Sequence, residues 1–142
     1  VDYTPSPMLV NRLKKEGVTI GTVFEAKDGN GNSLGYVVES TSSEGYGGKI
    51  TLYAGITKDG ILNGISILSI AETPGLGMNA QSVLVPQFEN VPATVFTYTK
   101  NGSTSESEID AISGATITTK AIVSAVNGAV AVVKEDLMKG GN

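Results

Sequence analysis

Four runs rich in β-branched and aromatic residues follow one another between Val18 and Ile70, each set off from the next by a glycine-containing break. Val18 to Ala26 gives way at Asp28-Gly29-Asn30-Gly31-Asn32, a strong turn signal, and Leu34 to Thr41 reads as the hairpin partner. Ser42-Ser43-Glu44-Gly45 interrupts the pattern, and Gly45-Tyr46-Gly47-Gly48 then leads into a third run, Lys49 to Thr57. Lys58-Asp59-Gly60 turns the chain into the fourth, Ile61 to Ile70. Strands joined by connections this short form a meander, so the chain is expected to be built on a twisted antiparallel sheet.

The remaining segments supply helices to cover that sheet. Ser6-Pro7 before Met8, Leu9 and Leu13 has the form of a cap, a proline at N1 and a short helix that Gly17 would end. Gln81 to Phe88 is compatible with a short helix ended by Pro86, and Val91 to Thr99 reads as a further strand in which Val95 and Thr97 alternate with Phe96 and Tyr98. Lys100 to Glu108 is a polar loop without apolar periodicity. Beyond it Ile122, Val126, Val130, Val133 and Leu137 recur at spacings of three and four, the signature of one face of a long amphipathic helix. Ala121, Ala125 and Ala129 form a small-residue stripe beside that face, and Lys134 and Lys139 lie where cations suit the negative pole of a helix. Gly140-Gly141-Asn142 is expected to fray. The fold class is therefore α+β, with helices packed on an antiparallel sheet.

Length and residue usage narrow the chemistry. A chain of 142 residues without a linker or repeat is expected to form one domain, residues 1–142, with a substantial core. It has neither Cys nor His, which removes thiol catalysis, iron–sulfur ligation and the usual zinc sites, so any redox chemistry has to come from a bound cofactor. No metal ligand set and no catalytic residue is assigned. A net charge of −4 without a basic cluster argues against a nucleic-acid partner. No run of eighteen apolar residues is present.

The stretch Asp110-Ala111-Ile112-Ser113-Gly114-Ala115-Thr116, followed by Ile117-Thr118-Thr119-Lys120, lies at the junction of the polar loop and the long helix. Such a junction offers unpaired backbone N–H groups at the positive end of a helix dipole. Gly114 and Ala115 are small enough to let an anion approach, so the junction can hold a phosphate; simple capping of the helix by a hydroxyl is the plainer alternative. It is not a Walker A loop, because no Gly-Lys-Ser/Thr follows at the right spacing. A hydrolytic nucleophile would need a base, and with no His present only Lys120, four residues after Thr116, could serve.

Asp110 to Thr116 resembles the flavinylation motif of the FMN-binding domain family. Its members include the G subunit of the Rnf electron-transport complex and the C subunit of the Na⁺-translocating NADH:quinone reductase. Glu72-Thr73-Pro74-Gly75-Leu76-Gly77, which taken alone is a type II turn after a strand, matches the second motif of those subunits. Gly45-Tyr46-Gly47-Gly48 also matches in kind and order, although three glycines in four residues equally suit a bulge or close packing. The resemblance implies FMN held covalently by a phosphoester bond to Thr116 and installed by a flavin transferase with FAD as donor. Ser113, Gly114 and Ala115 would shape the phosphate turn, and Thr118 or Thr119 would donate to it. Glu72, Thr73, Leu76 and Gly77 would border the ring, and Asp110 would help the transferase recognise its target, its plain role being that of a solvated loop acid.

The same resemblance implies partners in a membrane-bound, ion-translocating redox complex at the extracytoplasmic face. An N-terminal membrane anchor would lie outside this sequence, which begins at Val1. The compact length favours the G subunit of the Rnf complex over the quinone-reductase subunit. A stand-alone extracytoplasmic FMN carrier usually lacks the Glu-Thr-Pro-Gly-Leu-Gly run, and a non-redox adhesion or assembly module would not need Thr116. No complete active site is expected in this domain alone.

Overall fold

The computed structural model describes residues 6–45, 48–70, 83–100, 102, 105, 107–111 and 116–137. Helix α1, Pro7–Lys15, opens with its proline in the first turn, where a missing N–H costs nothing, and Gly17 ends it at φ 73°, a left-handed conformation that favours glycine. Strands β1 (Val18–Lys27), β2 (Ser33–Gly45), β3 (Gly48–Thr57) and β4 (Ile61–Ile70) then form the meander, and the two-residue β5 (Val91–Pro92) pairs with the start of β4. The sheet order is β1-β2-β3-β4-β5, antiparallel at every pairing, as the turn spacing predicts. The first turn is held by Asp28, whose Oδ1 accepts from the backbone N–H of Asn30 (2.8 Å) and of Asn32 (3.0 Å).

One face of the sheet carries the core. Val38, Ile50, Leu52, Ala54 and Leu62 are fully buried on it, beneath the long helix α2, Thr116–Ala131, which runs on into a π-helical turn, Val132–Leu137. Ser40, buried among them, donates its hydroxyl to the carbonyl of Ala125 at 2.8 Å, a polar tie between sheet and helix. Gly128 lets the helix approach closely: a Cβ there would lie 2.7 Å from Val18 Cγ1.

Four expectations change. Helix α2 is not amphipathic: ten of its sixteen residues are buried, because the sheet covers one side, Leu13 of α1 approaches at Gly128, and the stretch 93–96 covers a third. Its length and apolarity would suffice to cross a membrane, but 67% of that window is buried within the protein, so the core accounts for its composition. Strand β2 runs through Ser42 to Gly45, but the regular pairing with β3 is interrupted there by a register shift before Gly45↔Gly48, and Ser43 N–H donates instead to Gly17 O at 2.8 Å. Pro86 does not end a helix. It sits in the first turn of a short 3-10 helix, Val85–Phe88, where its missing N–H leaves no bond unmade.

The expected strand Val91 to Thr99 is two strands in two sheets. After Pro92, which cannot donate to a ladder, the chain leaves β4 and crosses to α2, where the Asn127 side chain supplies a substitute pairing. Asn127 Oδ1 accepts from Phe96 N–H at 2.7 Å and its Nδ2 donates to Phe96 O at 3.0 Å. The chain then enters β6, Thr97–Thr99, which pairs in parallel with β7, Glu108–Asp110, a strand hidden at the end of the polar loop. Lys134 donates its ammonium to Ala93 O at 2.9 Å; Lys139 lies outside the described residues.

Candidate functional site

Asp110 closes β7, and its backbone is clasped by one side chain. Gln87 Oε1 accepts from Asp110 N–H at 2.6 Å, and Gln87 Nε2 donates to Asp110 O at 3.0 Å. The same Nε2 donates to Val83 O at 2.9 Å. Ala111 N–H donates to Thr99 O at 2.9 Å, so the chain enters the motif from a held strand. Ser113, Gly114 and Ala115 lie outside the described residues, as do Glu72, Thr73, Leu76 and Gly77.

Thr116 is the first residue of α2 and is half-buried. Ile117 beside it is 51% exposed, whereas Thr118 and Thr119 turn inward at 1% and 0%, each with partners within the protein. Of the three threonines in the first turn, Thr116 is the least buried. No acidic residue occupies this turn, Lys120 is exposed just beyond it, and the first N–H groups of a helix have no intrahelical acceptor. The arrangement suits an anion joined to, or resting against, the Thr116 side chain.

Two further features lie elsewhere. Gly45 and Gly48 pair with each other at the β2–β3 turn, so this glycine cluster forms a hairpin end; Tyr46 and Gly47 between them are outside the described residues. Ile70 pairs with Ile50, which puts the exit of β4 at the same end of the sheet. A cleft of about 380 Å³ lies between α1 and the far end of α2, lined by Leu13, Asn127, Val130 and Lys134 among others. At about 1.5 Å of rise per residue it is more than roughly 15 Å along the helix from Thr116. Among the described residues no three acidic, His or Cys side chains gather to hold a metal.

Residues 45–131 match the FMN-binding domain model. The chain belongs to the FMN-binding domain family. It is 41% identical over 105 residues to the G subunit of the Na⁺-translocating ferredoxin:NAD⁺ oxidoreductase complex of Acetobacterium woodii, covering 72% of this chain and 51% of that protein. With the proton-translocating counterpart from Clostridium ljungdahlii it shares 42% over 108 residues, covering 75% and 57%. The G subunit of the ion-translocating oxidoreductase complex of Methanosarcina acetivorans is 36% identical over 126 residues, covering 87% and 64%. The chain thus spans about half to two thirds of these relatives. The crystal structure of Shewanella oneidensis NqrC has the same fold, with a TM-score of 0.60, 22% identity, and coverage of 74% of this chain and 52% of that one.

In this FMN-binding domain the described residues fit the phosphate end of the cofactor. Thr116 is partly exposed, it stands at the helix N-terminus, and no carboxylate in that turn opposes the charge. Gln87 is the residue that sequence reasoning missed. Its signal was faint: a lone amide in the otherwise apolar run Val83-Leu84-Val85-Pro86-Gln87-Phe88.

Proposed function

We propose that this chain is the FMN-carrying, electron-transferring part of the G subunit of an Rnf-type ion-translocating oxidoreductase complex, with the flavin joined to Thr116 by a phosphoester bond. The observation that carries the reading is the placement of Thr116. Thr116, a partly exposed residue, stands at the first position of a sixteen-residue helix whose first turn is free of acids. When bound, FMN supplies the electron-accepting and electron-donating chemistry that a chain without Cys or His lacks. The protein's share is placement: the helix N-terminus carries the phosphodiester charge, and Thr118 or Thr119 donates to it. Ser113, Gly114 and Ala115 shape the turn around the phosphate, and Glu72, Thr73, Leu76 and Gly77 border the ring.

Attachment balances with FAD as donor. The Thr116 oxygen bonds to the FMN phosphorus, the pyrophosphate bond breaks, AMP leaves, and the hydroxyl proton passes to solvent; a flavin transferase catalyses the exchange. The partners are the other subunits of a membrane complex, with this domain at the extracytoplasmic face. Relatives named as G subunits of such complexes support this assignment over the quinone-reductase subunit, which shares the fold.

The test is the intact mass and in-gel flavin fluorescence of protein co-expressed with a flavin transferase. Wild type is expected to carry one FMN adduct, and Thr116→Val, which keeps the shape and removes the nucleophile, none. Fluorescence surviving in the variant would place the flavin on another hydroxyl.

A further inference from the structure

An asparagine followed by glycine is prone to rearrange in water, because the glycine nitrogen has no neighbouring Cβ to hinder its attack on the asparagine amide. The chain holds four such pairs, at Asn30, Asn63, Asn101 and Asn127; Asn101 lies outside the described residues. The other three stand in different surroundings. Asn127 is within α2, its amide is bonded through both polar atoms to Phe96, and Gly128 after it is buried. Asn63 is exposed, but it lies in β4, and Gly64 after it pairs with Gly55 inside the sheet. Asn30 is at the tip of the turn between β1 and β2, where Gly29, Asn30, Gly31 and Asn32 are all exposed. Among the described residues no hydrogen bond holds its side-chain amide.

We propose that Asn30-Gly31 is a site of spontaneous chemical modification, at which the turn rearranges its own backbone at a rate governed by Asp28. The Gly31 nitrogen bonds to Asn30 Cγ, the bond from Cγ to the amide nitrogen breaks, and ammonia leaves with the proton that Gly31 gives up. Water then adds to either carbonyl of the resulting five-membered imide, leaving aspartate or isoaspartate at position 30. No enzyme, oxidant or flavin enters the reaction. The folded turn opposes its first step. Gly31 N–H donates to Asp28 O at 3.1 Å, and Asp28 Oδ1 accepts from Asn30 N–H at 2.8 Å, so attacking and attacked residues are both tied to Asp28. Attack therefore waits on opening of the turn, which at an exposed loop tip is far more frequent than opening of a sheet or a helix interior. Either product sets a second carboxylate two residues from Asp28, and isoaspartate also adds a methylene to the main chain, so the original turn does not close again.

The experiment incubates the whole chain at mildly alkaline pH and follows each asparagine by peptide mass, which rises by one unit as an amide becomes an acid. In the folded protein Asn30 should convert at least about tenfold faster than Asn63 or Asn127. In urea, which removes the turn, the sheet and the helix alike, the three rates should come together. Asp28→Ala should speed conversion at Asn30 by about tenfold, the scale of losing bonds to a charged acceptor, and leave Asn63 and Asn127 as they are. Asn30→Gln keeps an amide but needs a slower six-membered closure, and should abolish the gain at position 30. Amide exchange at Val38 and Leu52 should be the same in all three proteins.

Conversion at Asn30 no faster than at Asn63 or Asn127 in the folded protein would overturn the inference. So would rates that keep their native ranking in urea, because neighbouring residues, and not the fold, would then set them. Unchanged conversion in Asp28→Ala, with Val38 and Leu52 still protected, would overturn the part given to Asp28. The wild-type rates, folded and in urea, decide the site itself whether or not that variant folds.

Discussion

The meander with α2 and the strap formed by residues 83–111 are held by different forces. In the meander, long strands share ladder hydrogen bonds, and the facing side chains of Val38, Leu52, Ile122 and Val126 are all fully buried. Each contact there is one among many, and burial is non-directional, so no single polar group decides the arrangement. In the strap, β5 has two residues and β6 and β7 three; Leu84, Phe88, Phe96 and Ile109 bury their side chains in the same core, and the ladder bonds that short strands cannot supply are supplemented by the side chains of Gln87, Asn127 and Lys134 bonding to backbone. Such bonds are directional and few. With fewer ladder bonds per residue, the strap is expected to open locally before the sheet unfolds, and it is the part that leads into the stretch Asp110 to Thr116.

The largest test of that contrast is Leu52→Ala, in the middle of β3. Removing a fully buried leucine should cost about 2–5 kcal/mol and weaken the whole domain, read as a lower urea midpoint with an unchanged slope. If only local exchange changed, the meander would not be the single cooperative unit described. Next comes Asn127→Leu, which strands the Phe96 N–H and C=O. A loss of about 1–3 kcal/mol is expected, with faster exchange confined to residues 93–99. Asn127→Asp should fall between, since it keeps the acceptor for Phe96 N–H and turns the other oxygen against Phe96 O. Equal loosening of β2 and β3 would erase the distinction between the two regions.

Smaller effects mark the surface of the framework. Arg12 and Glu135 form a two-pronged ion pair between α1 and the end of α2, with one bond of 3.0 Å, but both side chains are about half exposed, at 53% and 50%. Glu135→Gln should therefore change stability by about 1 kcal/mol or less, and any change should shrink as salt is added. A larger, salt-independent loss would mean that the contact carries packing as well as charge.

The smallest expected effect is at the Asp28 turn. Backbone donation from Asn32 and Asn30 holds its carboxyl below the ordinary 3.8. A lowered value means that the charged form is favoured by folding. The contribution is complete above the ordinary value and is lost as pH falls through the lower folded one. Exchange at Asn30 and Asn32, read by NMR from pH 6 downward, should stay slow relative to a short peptide until the pH falls below the ordinary value, and then quicken without change in β3. Quickening at neutral pH would sink this account of the turn.

What the sequence determined by itself is what short stretches of chain decide. Strand, turn and strand alternate from Val18 to Ile70 because β-branched runs and glycine-containing turns act within a few residues. Pro7 and Gly17 mark the ends of α1 for the same reason, and Ser-Gly-Ala-Thr marks the start of α2 and the place of Thr116. Tertiary structure alone decided which faces are covered and which segments are clamped. Helix α2 looked two-faced because its spacing shows what it contains, not how many neighbours surround it. Phe96 left the sheet because Asn127, 31 residues away, offers its backbone both a donor and an acceptor. Gln87 meets Asp110 across 23 residues and Ser40 meets Ala125 across 85. A hydrogen bond between such partners leaves no periodicity in either stretch, since each residue alone is an ordinary polar side chain until folding brings the other within about 3 Å.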